Sequence, residues 1–301
     1  MPREAEYWKL VERDKIQCLL CPRRCLLAEG RWGECKARFN KNRTMSIPFY
    51  GQVSSLAVDP VEKKPLRHFL PGSHTFSAGF WHCTMRCPFC QNWEIAHPDR
   101  ASDSSADGKG RGESGFGGLH LEAEALVDRA LASGCPSISF TYSEPCLHVE
   151  YLLDAMELAR RRGLKTILVT NGCLNPEPAR RLLALCDATN VDLKSYSAEI
   201  YRKKLGGDLE AVKNFIWTAA EVCHIEITSL LVPGILDRPE QIEAIGDFIA
   251  SVSRSIPLHI TPYHPAYRWR EPILGRRETE AIAKPAFGIL DTVHLVLPFP
   301  Y

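Results

Sequence analysis

The chain has 301 residues, 45% of them hydrophobic, enough apolar material for one large or two modest folded domains and too much for a chain disordered throughout. Its formal net charge of +1 is spread without a basic stripe, so small-molecule or protein substrates are expected and a nucleic-acid partner is not. No stretch approaches about 18 apolar residues and the opening Met1-Pro-Arg-Glu-Ala-Glu-Tyr7 lacks an apolar export segment, so the twelve cysteines read as metal ligands in a reducing, cytoplasmic setting away from membranes.

Residues 1–72 form a first unit, charged at its start and carrying Cys18, Cys21, Cys25 and Cys35 at C-x2-C-x3-C-x9-C spacing. Four ligands make a closed site that either zinc or an auxiliary iron–sulfur cluster would satisfy. Pinning a small Cys-rich appendage that cannot build its own core and relaying electrons are both open roles. From residue 74 the pattern changes to strands alternating with helices. A strand over 74–82 delivers a second cysteine group, and the Ser/Gly/Asp-rich stretch 99–118 reads as a loop. Helices are expected at about 120–133, 146–162, 176–185, 198–222 and 238–252, between strands at 137–142, 165–170, 189–193, 225–231 and 258–261. Repeated β-α units imply a parallel sheet with right-handed crossovers. Six units rather than eight suggest an α/β fold of the open (β/α)6 partial TIM-type barrel kind over 73–265. Residues 266–301, with Trp269 and Arg270, extend from it near the barrel mouth.

The second cysteine group is Cys83, Cys87 and Cys90, spaced C-x3-C-x2-C. Chance placement of twelve cysteines gives roughly 0.02 such triplets in a chain of this length. Iron–sulfur cubanes normally take four cysteines, so three ligands and no nearby fourth leave one iron open. Structural zinc is the rival, but it wants four closed ligands, usually as two C-x2-C arms, and this loop has no second arm. Cys135, Cys186 and Cys223 sit among apolar neighbours and read as small buried hydrophobes.

In parallel α/β sheets ligands collect at the carboxyl ends of the strands, where several polar residues fall. The second core strand ends at Thr141, Ser143 and Glu144, which also suit a helix start before Pro145. The third ends Val169-Thr-Asn-Gly172, also an ordinary turn. The fourth ends Val191-Asp-Leu-Lys-Ser195, with Asp192 and Lys194 on one side of the strand, where a solvated ion pair is the common outcome. The fifth runs into Leu230-Leu-Val-Pro-Gly234 and the sixth into His259-Ile-Thr-Pro-Tyr-His264. His97, His120 and His148 read as structural.

With Phe89 as the aromatic, the triplet resembles the C-x3-C-x-aromatic-C signature of the radical S-adenosylmethionine (SAM) enzymes. Cys87-Pro-Phe-Cys-Gln-Asn-Trp-Glu-Ile95, together with the string from Ser54 to Leu66, resembles the AmmeMemoRadiSam-system branch, relatives of the pyruvate formate-lyase activating enzyme; the likeness runs from about Cys18 to about Pro265. It implies a [4Fe-4S] cluster on Cys83, Cys87 and Cys90 whose open iron binds SAM. Glu144 stands in the Gly-Gly-Glu motif that contacts the SAM amine, with Tyr142 and Ser143 in place of the glycines. Thr170 and Asn171 remain from an Asp-Thr-Asn-Gly motif, Asp192 and Lys194 match an Asp-Leu-Lys, Val232-Pro-Gly234 falls where adenine is held, and His264 near the ribose. The implied reaction is one-electron cleavage of SAM, fed by a flavodoxin- or ferredoxin-type donor, to a 5′-deoxyadenosyl radical that takes hydrogen from an unidentified substrate, a protein or peptide among the options. Arg86 and Asn92 flank the cysteines as candidates for tuning the cluster. A non-catalytic iron–sulfur electron carrier or zinc-stabilised adaptor is the alternative, and it gives no reason for polar residues at successive strand ends.

Overall fold

The computed structural model describes residues 3–12, 15–98 and 118–297. The expected loop at 99–118 lies outside them except for Gly118, as do residues 298–301. Two small antiparallel sheets open the chain. One has the order β1 (Arg3–Glu4), β6 (Thr44–Ile47), β5 (Phe39–Lys41), and the other runs β2 (Trp8–Glu12), β3 (Lys15–Cys18), β4 (Leu26–Ala28).

The main sheet has nine strands in the order β15-β14-β13-β12-β11-β10-β8-β7-β9. They are β7 (Gln52–Pro60), β8 (His74–Phe80), β9 (Leu119–His120), β10 (Ser137–Thr141), β11 (Lys165–Thr170), β12 (Ala188–Asp192), β13 (His224–Leu231), β14 (Leu258–Pro262) and β15 (Val293–Leu295). From β8 to β15 along this order all pairings are parallel, whereas β7 and β9 add an antiparallel edge. Alternation along the central strands explains the layering. In β10, Ile138 and Phe140 alternate with Ser137, Ser139 and Thr141, all buried. The small polar row faces its like on β8, where Thr75 Oγ1 and Ser139 Oγ lie 2.7 Å apart. Helices supply the apolar cover: in the Val149–Arg161 helix Val149, Leu152, Ala155, Met156 and Ala159 are buried, the spacing of one face.

Three departures from the sequence expectation have local causes. A seventh parallel strand appears because the Arg276–Ile289 helix returns the chain as β15, with Leu258 paired to Val293; the tail beyond 266 therefore completes the sheet. Leu119 and His120 pair with Val53 and Gln52, so the following helix begins at Ala123. The stretch 198–222 is broken: a π turn over Tyr201–Leu205 ends at Gly206 with φ +67°, and a new helix starts at Leu209, where Asp208 accepts from the Ala211 amide. Among the described residues no helix is long and apolar enough to cross a membrane.

Candidate functional site

A cleft of about 1520 Å³, counting its open mouth, lies at the carboxyl ends of β8, β10, β11, β12 and β13. It is lined by Cys83, Cys87 and Cys90, by Tyr142, Ser143 and Glu144, by Thr170 and Asn171, and by Asp192 and Lys194. Five of the six expected cofactor-contacting residues thus share one cleft with the triplet. His264 is exposed and stands outside that lining. Leu230 borders the cleft, while the Pro233-Gly234 turn is tied outward by Trp269 Nε1 and Lys204 Nζ, which donate to the Pro233 and Gly234 carbonyls.

Glu144 organises one wall of the cleft. Its Oε1 accepts from Thr170 Oγ1 at 2.7 Å and from the Cys146 amide at 3.1 Å, and its Oε2 from the Asn171 amide at 2.9 Å. Thr170, the Asn171 amide and both the amide and the side chain of Cys146 take up the carboxylate, so Glu144 mainly fixes Thr170 and Asn171 beside the cleft. Burial pushes its carboxyl above the usual range despite these donors. Asn171 carries the link onward: its Nδ2 donates to Thr84 Oγ1 at 3.0 Å and approaches Cys83 Sγ at 3.6 Å. On the far wall Lys194 Nζ bonds Asp192 Oδ2 at 2.8 Å. Burial alone would lower the lysine, but Asp192 and the Cys87 sulfur hold it above its normal value, so it is a permanent cation.

The triplet fits a cluster short of one protein ligand. Among the described lining residues these are the only cysteines. Burial drives all three thiols up, Cys87 to about 12, so a bound cationic centre is what makes them thiolates. The Met85 amide, 3.4 Å from Cys83 Sγ, and Asn171 Nδ2 supply hydrogen bonds to sulfur. Among the described residues no three His, Cys, Asp or Glu side chains are grouped to hold a single metal ion. Of the flanking residues, Asn92 Nδ2 bonds the Tyr142 carbonyl at 2.6 Å, while Arg86 pairs with exposed Glu34.

Tyr142 answers the question raised by the missing glycines. It holds φ at +71°, the left-handed conformation that glycine adopts freely and that costs other residues about 1 to 2 kcal/mol. Its ring lies back along the sheet, its hydroxyl donates to Asp59, and the Lys64 ammonium sits 4.4 Å from the ring centroid. Asp59 also binds Lys63 at 2.8 Å and Lys64 at 2.7 Å, and both lysines line the cleft. Sequence reasoning does not reach this network. Its one signal there is Asp59 four and five residues before the lysine pair, which says nothing of burial. His148 is buried against the Trp81 carbonyl at 2.9 Å, His120 is exposed beside Glu122, and His97 stacks on Tyr267.

Comparison with known proteins follows the same outline. The profile of the Radical SAM superfamily matches residues 82–249, more than half the chain, and the chain belongs to that superfamily. Membership implies a [4Fe-4S] cluster and SAM. An uncharacterized protein of Methanocaldococcus jannaschii, MJ0808, is 34% identical over 270 residues, covering 88% of this chain and 76% of that one. The pyruvate formate-lyase-activating enzyme of Streptococcus mutans is 25% identical over 63% of this chain and 72% of its own, and the pyruvate formate-lyase 1-activating enzyme of Escherichia coli is 25% identical over 63% and 74%. In fold, the chain is similar to TYW1 with a lysine-pyruvate adduct bound (TM-score 0.53, 16% identity, 78% of this chain and 84% of that one). It is also similar to SuiB of Streptococcus suis bound to S-adenosylmethionine (TM-score 0.52, 16% identity, 73% and 50%).

Proposed function

We propose that this chain cleaves SAM reductively at a [4Fe-4S] cluster on Cys83, Cys87 and Cys90 and takes hydrogen from a protein or peptide substrate, as an activating-enzyme-like oxidoreductase of the AmmeMemoRadiSam type. The observation that carries the reading is the convergence of three cysteines, Glu144, Thr170, Asn171, Asp192 and Lys194 on one cleft with no fourth cysteine in its described lining. When bound, cluster and cofactor supply a one-electron cleavage giving a 5′-deoxyadenosyl radical. The protein's residues do the rest. Lys194 offers a cation to the cofactor carboxylate, Glu144 supplies the negative charge beside its ammonium with Thr170 and Asn171 held in place around it, and His264 reaches the ribose only if its loop folds inward. Burial of the wall keeps water from the reacting atoms.

A protein substrate is inferred from the curated relatives, whose names describe activation of pyruvate formate-lyase. We further infer that the sheet curls as an open partial barrel around the cleft, with the four-cysteine metal-binding appendage of 1–72 joined through β7 to the core of 73–265, and 266–301 as an extension that adds β15 to it. A flavodoxin- or ferredoxin-type protein supplies the electron. The test is anaerobic reconstitution with iron and sulfide, then dithionite and SAM, reading 5′-deoxyadenosine. Wild type is expected to form it and Cys87→Ala to form none. A reduced-protein spectrum unchanged by SAM would return the reading to a plain electron carrier.

A further inference from the structure

The four N-terminal cysteines are separated by fold from the cleft, yet they meet behind it. Cys18 ends β3, Cys21 and Cys25 fall in the turn into β4, and Cys35 precedes β5. All four line one pocket of about 330 Å³ together with Leu20, Arg38, Thr84 and Leu147. The Cys18 amide donates to the Cys25 carbonyl at 2.9 Å, closing the turn. Four cysteines around one pocket make a ligand set for one metal centre.

Arg38 supplies the independent observation. It is fully buried in the pocket wall, and its Nη2 binds both oxygens of buried Glu150, at 2.9 and 2.8 Å. Its Nε and Nη1 have no partner. A buried guanidinium donor left unpaired forfeits its hydration with nothing in return, so an acceptor belongs in this pocket. Acceptors beyond the thiolates are the inorganic sulfides of a cluster. A zinc ion brings none of its own.

The pocket also abuts the triplet. Thr84, which lines it, directly follows Cys83, and Cys35 and Cys83 share a second cavity of about 520 Å³ with Glu34, Lys36, His82 and Arg86. We propose that Cys18, Cys21, Cys25 and Cys35 hold an iron–sulfur cluster, hydrogen-bonded by Arg38, that relays single electrons to the Cys83/Cys87/Cys90 centre. A reduced flavodoxin- or ferredoxin-type protein loses one electron and the quartet centre gains it. The electron then passes to the triplet centre, the quartet returns to its starting state, and no bond is made or broken in the relay. The relay rests on the radical SAM reading; the presence of the cluster does not.

The experiment separates the two. A Cys83→Ala/Cys87→Ala/Cys90→Ala variant, reconstituted anaerobically with iron and sulfide, should keep about four irons per chain and a paramagnetic signal on reduction. Stoichiometric zinc in the protein as purified, or no bound metal after reconstitution, overturns the proposal. In the same background Arg38→Lys keeps the charge but loses the two free donors. It should shift the cluster's midpoint potential downward, whereas an arginine that only packs leaves it unmoved. Finally, Cys18→Ala/Cys21→Ala should slow reduction of the triplet centre by reduced flavodoxin at least 10-fold while dithionite-driven 5′-deoxyadenosine formation persists. An unchanged rate with flavodoxin overturns the relay. Wild type that forms no 5′-deoxyadenosine while the triple variant still holds its cluster sinks the radical SAM reading instead.

Discussion

Two buried glutamates sit at opposite ends of the same sheet and are treated differently. At the carboxyl end Glu144 is held by Thr170, Asn171 and Cys146, none of them charged, and burial keeps its carboxyl above the normal range. Toward the amino end Glu226 receives four donors: the Arg67 and His68 amides at 3.1 and 2.8 Å, and His224 and His259 Nε2 at 2.9 and 2.6 Å. Burial opposes ionisation there too, but the histidines and amides outweigh it and hold Glu226 well below the usual carboxylate range. Glu226 ties the segment following β7 to β13 and β14, with Asn190 Nδ2 bonding the Pro65 carbonyl alongside. A carboxylate satisfied on every side is a rivet. One held by neutral donors alone, lining a cleft, lacks the charged partner that a cationic ligand can supply.

That contrast is broken most sharply by truncation. Glu226→Ala strands two histidines and two amides, and a loss of about 3 to 5 kcal/mol is expected, read as a lower urea midpoint. Glu144→Gln should do the reverse, leaving the midpoint near wild type but weakening SAM binding about 10- to 100-fold, the worth of hydrogen bonds to a charged group, about 1.5 to 3 kcal/mol. Equilibrium dialysis with the reconstituted protein measures it. If Glu144→Gln unfolds the protein and leaves SAM affinity intact, the two glutamates are alike.

Acid titration sharpens the same comparison through its sign. Because Glu226 is depressed in the fold, the unfolded chain takes its proton first as pH falls below about 4.5, so its contribution is full above that value and is lost on further acidification. His148 acts earlier. Burial lowers it from 6.5 to about 4, so the unfolded state binds its proton first and stability declines between those values. Glu144, raised in the fold, opposes both, because the native state protonates first and gains as pH drops through its raised value. Stability of the metal-free protein should therefore fall in two limbs, one setting in below about 6.5 that His148→Gln makes shallower, with His82, lowered from 6.5 to about 3, supplying the rest, and one below about 4.5 that Glu226→Gln makes shallower, with the depressed Asp59 contributing beside it. A profile the two substitutions leave unchanged would refute this assignment.

The cysteine spacings and the polar strand ends are readable because each is local: ligand spacing along a loop and alternation along a strand are properties of neighbouring residues. Glu144, Thr170, Asn171, Asp192 and Lys194 are legible for that reason, as positions where alternation ends in polar groups. What escapes depends on distant pairing. Nothing in the letters of β7, Gln52 to Pro60, announces that Asp59 will face Tyr142, 83 residues on. β15 is three residues long and half-buried, so it carries no pattern of its own. His264 is placed by its strand end alone, and its side chain is exposed to solvent.

Tyr142 offers the smallest effect and the finest test of how the rim is held. Its left-handed backbone is offset by three contacts: the hydroxyl to Asp59, the Lys64 ammonium on its ring, and Asn92 on its carbonyl. Tyr142→Phe removes only the first, and the loss of one hydrogen bond to a carboxylate costs about 1.5 to 3 kcal/mol, part of which Asp59 recovers from its two lysines. A drop near 1 kcal/mol in urea unfolding is expected, with SAM affinity little changed. Tyr142→Gly relaxes the backbone strain but frees Asp59 and Lys64 from the ring, so it should keep the left-handed turn while loosening the cleft's inner end. If Tyr142→Gly binds SAM as wild type does and Tyr142→Phe does not, the hydroxyl rather than the turn sets the position of Glu144.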